Sequence, residues 1–260
     1  MKRLTKIVSV ICLAAISLSM VACSGKEVQI GGQEDLVGKV IGVQLGTTGD
    51  ELAEKIDAKN VEKYNAYVDA ITSLKQKKID AIIMDKDTAT SYVDKNEDLV
   101  ILDVGFEPEQ YAIAVPDGDT ELKAVVDGVI TAMKENGSLE ASLEAHAEET
   151  GEAPDYNTDA VNGKLIMGTE AGFQPYEYMS GNNVIGTDVD LMAKVAAELD
   201  MELVVENMSF DGLIPALQQG KIDVIAAGMT INAERDVNVD FSIPYVDASQ
   251  VVVIRKTSMK

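Results

Sequence analysis

Along this chain, short runs of apolar, β-branched residues alternate with stretches whose apolar positions recur at helical spacing. That alternation predicts repeated strand–helix units and an α/β protein. The clearest unit lies late in the sequence. Leu213, Ile214, Ala216 and Leu217 predict a helix with Asp211 as its N-cap, Pro215 in its first turn and Gly220 just past its end. Residues 222–227 then form an apolar run suited to a strand buried on both faces. Gly228 and Thr230 follow, and a polar stretch carries Arg235, so a glycine, a hydroxyl and a guanidinium stand at the strand's exit. In open α/β sheets ligands bind at that end of the strands.

The first half repeats the plan. Residues 40–43 predict a strand, followed by Gln44, Gly46, Thr47 and Thr48 and a helix from about residue 50 to 56. A Gly/Thr loop at a helix start presents free N–H groups to an anion. A phosphate loop is the rival reading, but the Gly-Lys-Ser/Thr ending is missing. Residues 67–75 predict a helix, 79–84 a strand with Asp85 at its exit, 88–95 a helix, and 99–104 and 111–116 strands. The segment LKQKKIDAIIMD (74–85) echoes LQQGKIDVIAAG (217–228), the mark of two lobes built alike. Residues 121–149 read as helices broken at Asn136-Gly137, and 150–163 (TGEAPDYNTDAVNG) as a linker. His146 is expected on a solvated helix face with no ligand role, and no metal site or cofactor motif is visible.

Composition narrows the classes. Lys2, Arg3 and Lys6 precede an apolar run to residue 22, which ends at Cys23. This resembles a bacterial lipoprotein signal with a lipidated cysteine, although Met20 stands where Leu is usual; an ordinary signal peptide is the alternative. Removing residues 1–22 also removes Cys12 and three basic residues, leaving 19 basic against 44 acidic side chains, a net charge of −25. Such acidity argues against nucleic acid and against charge-driven binding to anionic lipid.

The segment FDGLIPALQQGKIDVIAAGMTINAER (210–235), with DFSIPY (240–245), KLIMGTEAGFQPYEY (164–178) and IGTDVDLMAKVAAEL (185–199), resembles the amino-acid-binding receptors of ABC importers, the type II periplasmic binding proteins of solute-binding family 3. GKVIGVQLGTTGDELA (38–53) resembles the family's other lobe. The blocks stand in reversed order, which implies a circularly permuted, two-lobed α/β fold: signal 1–22, tether 23–35, lobe two with a return hinge strand 36–116, helices 117–149 packing on lobe one, linker 150–163, lobe one 164–249 and a hinge crossing strand 250–260. The linker joins the old ends, spanning up to ~45 Å. The new ends are expected at one hinge crossing, so that a single covalent hinge joins the lobes, as a monomer or as a lobe-swapped dimer.

The resemblance also implies a site. Arg235 would take the ligand's α-carboxylate, helped by the Thr230 N–H and the Thr47-Thr48 loop. Asp85, the Gly228 carbonyl and the Thr230 hydroxyl would take the ammonium. Phe173 and Phe210 would sandwich the ligand's side chain, Glu170 would read it as cationic or amide, and Gln44 and Leu45 would line the lobe-two face. Asp188 and Asp223 read as structural, a cap and a strand edge, and Tyr176, Tyr178 and Tyr245 as packing. The implied protein is a membrane-anchored, extracytoplasmic binding lipoprotein, not an enzyme, working with ABC permease subunits. The alternatives are a same-fold dehydratase of small carboxylates and a ligand-sensing lipoprotein.

Overall fold

A computed structural model describes residues 28–260; the leader, Cys12, Cys23 and the start of the tether lie outside the described residues. β1 (Val40–Gln44) leads to α1 (Thr48–Lys55), β2 (Asn60–Tyr64) to α2 (Tyr67–Lys75), and β3 (Ala81–Asp85) to α3 (Lys86–Asp94), with β4 (Leu99–Leu102) closing the series. β5 (Pro108–Tyr111), β6 (Ala114–Pro116), α4 (Thr120–Glu135) and α5 (Ser138–Ala147) follow. The second half begins with β7 (Lys164–Thr169) and an antiparallel meander of β8 (Gly172–Phe173), β9 (Glu177–Ser180) and β10 (Asn183–Ile185). It continues through α6 (Thr187–Glu198), β11 (Glu202–Asn207), α7 (Leu213–Gln218), β12 (Val224–Ile225) and β13 (Val239–Phe241) to the long β14 (Val246–Arg255).

Two five-strand paths result, and they have the same plan. One runs β2-β1-β3-β14-β4, the other β11-β7-β12-β6-β13. In each, the first three strands are parallel and the fourth enters antiparallel from the other half of the chain. The central strands are apolar and buried along their length, as β3 shows, because helices cover such a sheet on both faces.

The lent strands settle how the halves are joined. The chain crosses once through β5 and β6 and again through β14, and β5 pairs with the first half of β14 as an antiparallel ribbon. The expectation of a single covalent hinge is therefore overturned. The two ends of the described chain meet on the first sheet instead: Ile30 is buried, its N–H donates to the Ser258 carbonyl at 2.8 Å, and Ile30 and Met259 form a bridge. Burial of Ile30 also corrects the tether, which is docked at that residue.

Several local expectations shift for physical reasons. α1 starts at Thr48, because Thr47 is its N-cap and accepts from the Asp50 N–H at 3.3 Å. Asp211 caps nothing: a 3₁₀ turn (Phe210–Gly212) precedes α7, and Gly212 occupies the cap position. β12 is two residues long, since Gly228 turns left-handed (φ +51°) and bends the chain out of the ladder. β5 was not foreseen as a strand; Pro108 at its start is an edge position. The linker carries no helix or strand but is anchored, with the Leu203 N–H donating to the Tyr156 carbonyl at 2.8 Å. His146 is buried rather than solvated. The end of α5 packs on β9 and α6, placing its ring nitrogens 3.0 Å from the Tyr178 hydroxyl and 3.1 Å from an Asp190 oxygen.

Candidate functional site

Where the exits of the two sheets face each other, one small cavity, about 10 Å³ in the space open to the centre of a water-sized sphere, is lined from both sides. The first sheet supplies Gln44 from the end of β1, Thr47 and Thr48 from the start of α1, and Asp85 from the end of β3. The second supplies Glu170 after β7, Phe173 and Glu177 from the meander, Phe210 from the 3₁₀ turn, and Ala227, Gly228, Thr230 and Arg235 beyond β12. Every residue expected at the site except Leu45 thus lines a single cavity, although the contributing segments lie up to nearly two hundred positions apart.

Arg235 is almost fully buried. Its Nη1 donates to the Thr230 carbonyl at 2.7 Å and its Nη2 to the Gly46 carbonyl at 3.0 Å, so the guanidinium ties the two faces together. It also lies over the Phe210 ring, 5.3 Å from the centroid, where the ring's negative face favours a cation. The turn that presents it is built locally: Asn232 Oδ1 accepts the Arg235 N–H at 2.8 Å, while Asn232 Nδ2 reaches Glu51 of the other half at 3.0 Å. Burial lowers the guanidinium's pKa, yet the carboxylates of Glu51, Glu109 and Asp85 hold it charged.

Asp85 is not a free acceptor. Its Oδ1 takes hydrogen bonds from the Tyr111 hydroxyl and from Gln250 Nε2 (2.7 Å), so β5 and β14 both grip the end of β3. Burial, with the nearby Glu109 charge, pushes its pKa up to about 7 against those two donors. The Thr230 hydroxyl donates to Glu109 at 2.6 Å, a partner the sequence reading did not foresee. Burial raises the pKa values of Glu109 and Glu170 as well. Gln44 donates to the Asn65 carbonyl at 3.0 Å, and the Thr47 hydroxyl to the Gln44 carbonyl at 2.8 Å, which fixes the loop before α1.

The aromatic wall is larger than expected. Phe173 stacks on Tyr67 from the first half (6.4 Å between centroids, 24° between planes) and on Tyr176 (5.5 Å, 30°), and Tyr111 sits edge-on to Tyr176 at 5.2 Å. Asp188, expected as a helix cap, instead receives the Tyr245 hydroxyl at 2.6 Å and the Gly228 N–H at 3.0 Å; no side chain caps α6. Asp223 holds a strand edge as expected, accepting the Ile166 N–H at 2.8 Å. Sequence reasoning missed Tyr67, Tyr111, Glu109, Glu177 and Gln250. Glu177 carried a signal, since a carboxylate between Tyr176 and Tyr178 at a buried strand start needs a partner; the others carried none. Among the described residues no cluster of His, Cys, Asp and Glu could hold a metal ion, and no helix is long and apolar enough to cross a membrane.

Comparison with known proteins adds an independent line. The family described as bacterial extracellular solute-binding proteins, family 3, matches residues 165–260. The arginine-binding extracellular protein ArtP of Bacillus subtilis is 42% identical over 95 residues, 36% of this chain and 37% of ArtP. The ABC transporter arginine-binding protein 1 of Escherichia coli is 36% identical over 98 residues, 37% of this chain and 40% of the relative. The chain therefore matches about two fifths of the length of these curated relatives. A membrane-bound lytic murein transglycosylase F of Desulfosudis oleivorans also matches, at 33% identity over 96 residues, 37% of this chain and 21% of the relative. Among solved structures, the arginine-bound form of domain 1 from TmArgBP is 43% identical, covering 36% of this chain and 81% of that one, with a TM-score of 0.32.

Proposed function

Residues 165–260 belong to the bacterial extracellular solute-binding proteins of family 3, and from that premise we propose that the chain captures a polar, cationic L-amino acid between its two sheets for an ABC importer. One observation carries the reading: a buried guanidinium fork and two carboxyl groups from opposite halves (Asp85 and Glu170) line one cavity. Arg235 would exchange its two carbonyl acceptors for the ligand's α-carboxylate, a stronger, charge-assisted bidentate partner. Asp85 would face the α-ammonium. Glu170, whose Oε2 is buried without a donor, would receive the donors of a cationic side chain. The names of relatives that bind arginine point the same way.

The reading extends to organisation and place. The common strand order of the two sheets, with the lobe-two blocks first in sequence, supports a circular permutation of the family's fold, in which residues 150–163 join the old ends. Cys23 as a lipid anchor would hold a monomeric receptor at the extracytoplasmic face. Capture works by closure, and a ligand favours the closed state only through contacts it makes there and nowhere else. Here those contacts are Arg235, Asp85 and Thr48 acting together.

Thermal unfolding of the signal-less chain against a panel of amino acids tests this. A ligand held at a hundred times its dissociation constant stabilises the native state by about 2.7 kcal/mol. The expected result is a rise in midpoint with arginine, and a smaller one with lysine, histidine or glutamine. No rise with any amino acid, in a chain that melts cooperatively, would sink the reading.

A further inference from the structure

Glu177 is fully buried, and neither of its carboxyl oxygens has a hydrogen-bond donor. It opens β9, paired with Phe173 of β8, and it lines the cavity. Asp188, in the first turn of α6, is brought beside it by donating its N–H to the Tyr176 carbonyl at 3.0 Å, and is equally buried but well served, with the Tyr245 hydroxyl on Oδ1 and the Gly228 N–H on Oδ2. An ionised carboxylate shut away without a donor, and against a second carboxylate, is strongly disfavoured. A protonated Glu177 removes both penalties, because its O–H can donate to Asp188.

We infer that Glu177 is a neutral acid sharing one proton with Asp188, and that this carboxyl pair is a positioning element which couples ligand capture to that proton. The pair stands where three parts of the site meet. Asp188 fixes the N–H of Gly228, whose left-handed turn lies so close to Phe173 that a β-carbon there would fall 2.4 Å from the ring. Through Tyr245 it also fixes the entry to β14, the strand that crosses to the other half. Adding a second negative charge pushes β9 and α6 apart, and with them the aromatic wall and the Gly228 turn.

The groups that face Glu177 favour retention of the proton. Asp188 comes from α6, Glu170 from the loop after β7, and Asp85 from the end of β3; all three raise its pKa, with burial the largest cause. Asp188 is itself pushed up to about 6 by burial, in spite of its two donors. The hydroxyls of Tyr176, Tyr111 and Tyr245 are committed to Asp87, Asp85 and Asp188. Arg235 is the one cation among the residues lining the cavity. Because the folded site holds the proton, raising the pH through the pair's ionisation must weaken capture.

Two measurements test this, the second resting on the amino-acid reading. In the first, the chain labelled with carboxyl-¹³C glutamate is titrated by NMR without ligand. One glutamate carboxyl is expected to keep the shift of a neutral acid at neutral pH, and Glu177→Gln to abolish that signal. Spectra of the unaltered chain in which every glutamate is ionised at neutral pH would overturn the inference, as would a neutral signal that survives Glu177→Gln. In the second, arginine affinity is followed by calorimetry from mildly acidic to mildly alkaline pH. The unaltered chain is expected to lose up to about tenfold per pH unit above the titration. Glu177→Gln, whose amide donates to Asp188 at every pH, is expected to match it at acidic pH and to lack this loss, both proteins keeping whatever dependence the titration of Asp85 imposes. Equal slopes in both proteins would overturn the coupling. Should no amino acid bind, the function proposed above fails, while the NMR titration still decides where the proton sits.

Discussion

The two sheets of this protein have one plan and unlike chemistry. Each carries three parallel strands and a fourth lent antiparallel by the other half. The β1 side offers the cavity short polar groups, Thr47 and Thr48 at a helix start, and a carboxyl, Asp85, held from behind by Tyr111 and Gln250. The β7 side offers the guanidinium, both phenylalanines, the left-handed Gly228 and two further carboxyl groups. Architecture is thus shared while the guanidinium, both phenylalanines and two of the three carboxyl groups of the cavity lie on one half; under the function proposed above, the other half would be the closing face. The crossings also keep the halves in register: β5 pairs with β14 where they cross, β6 continues into the second sheet and β14 into the first.

Breaking the β7 side should cost most. Arg235→Ala removes the bidentate donor and is expected to reduce amino-acid affinity by about 2–5 kcal/mol, the range for truncating a buried charge partner, as read by calorimetry. Thr48→Val on the closing face should cost much less; an equal loss would mean that the two faces share the work.

The protonation of Asp85 gives the next effect. Its folded pKa of about 7 exceeds the ordinary carboxyl value, so its contribution to stability is complete below the unfolded pKa near 4 and is lost as pH rises through about 7. Urea unfolding of the ligand-free chain should therefore show a loss between mildly acidic and neutral pH. Asp85→Asn should remove up to about 4 kcal/mol of that dependence, and an unchanged profile would contradict the assignment.

Gly228→Ala should destabilise by about 1–3 kcal/mol, since a β-carbon would meet the Phe173 ring in a left-handed backbone. Denaturant midpoints give the value. The smallest effect belongs to the exposed link between the halves, where Lys95 reaches Gln174 at 2.9 Å and pairs with Glu149. Lys95→Met should change stability by no more than about 1 kcal/mol, and less in high salt. A larger cost would mean that surface pairs, not the cavity, hold the closed arrangement.

The paired segments 74–85 and 217–228 show what patterning could and could not deliver. Both were legible as a helix end running into a buried strand, because apolar periodicity is a local property, and Asp85 and Gly228 stand at the matching exits. Their different fates were not legible. Asp85 is gripped by Tyr111 and Gln250, partners twenty-six and one hundred and sixty-five positions away, and Gly228 by Asp188 forty positions away. His146 was misread because helix composition cannot tell which face a distant strand will cover, and the hinge because β14 ends on the first sheet, not at the crossing.

By itself the sequence determined the alternation of strands and helices, the twofold plan and the acidic balance, and its resemblance to a family named ten side chains that the fold brings to one cavity, since each rests on local pattern or motif. The tertiary structure decided the rest. It joined the halves by two covalent crossings, brought the described ends together at Ile30 and Met259, assembled the aromatic wall, and left Glu177 against Asp188 without a donor. Hydrogen-bond partnership and desolvation depend on what lies a few ångströms away in space, and separation along the chain carries no record of that.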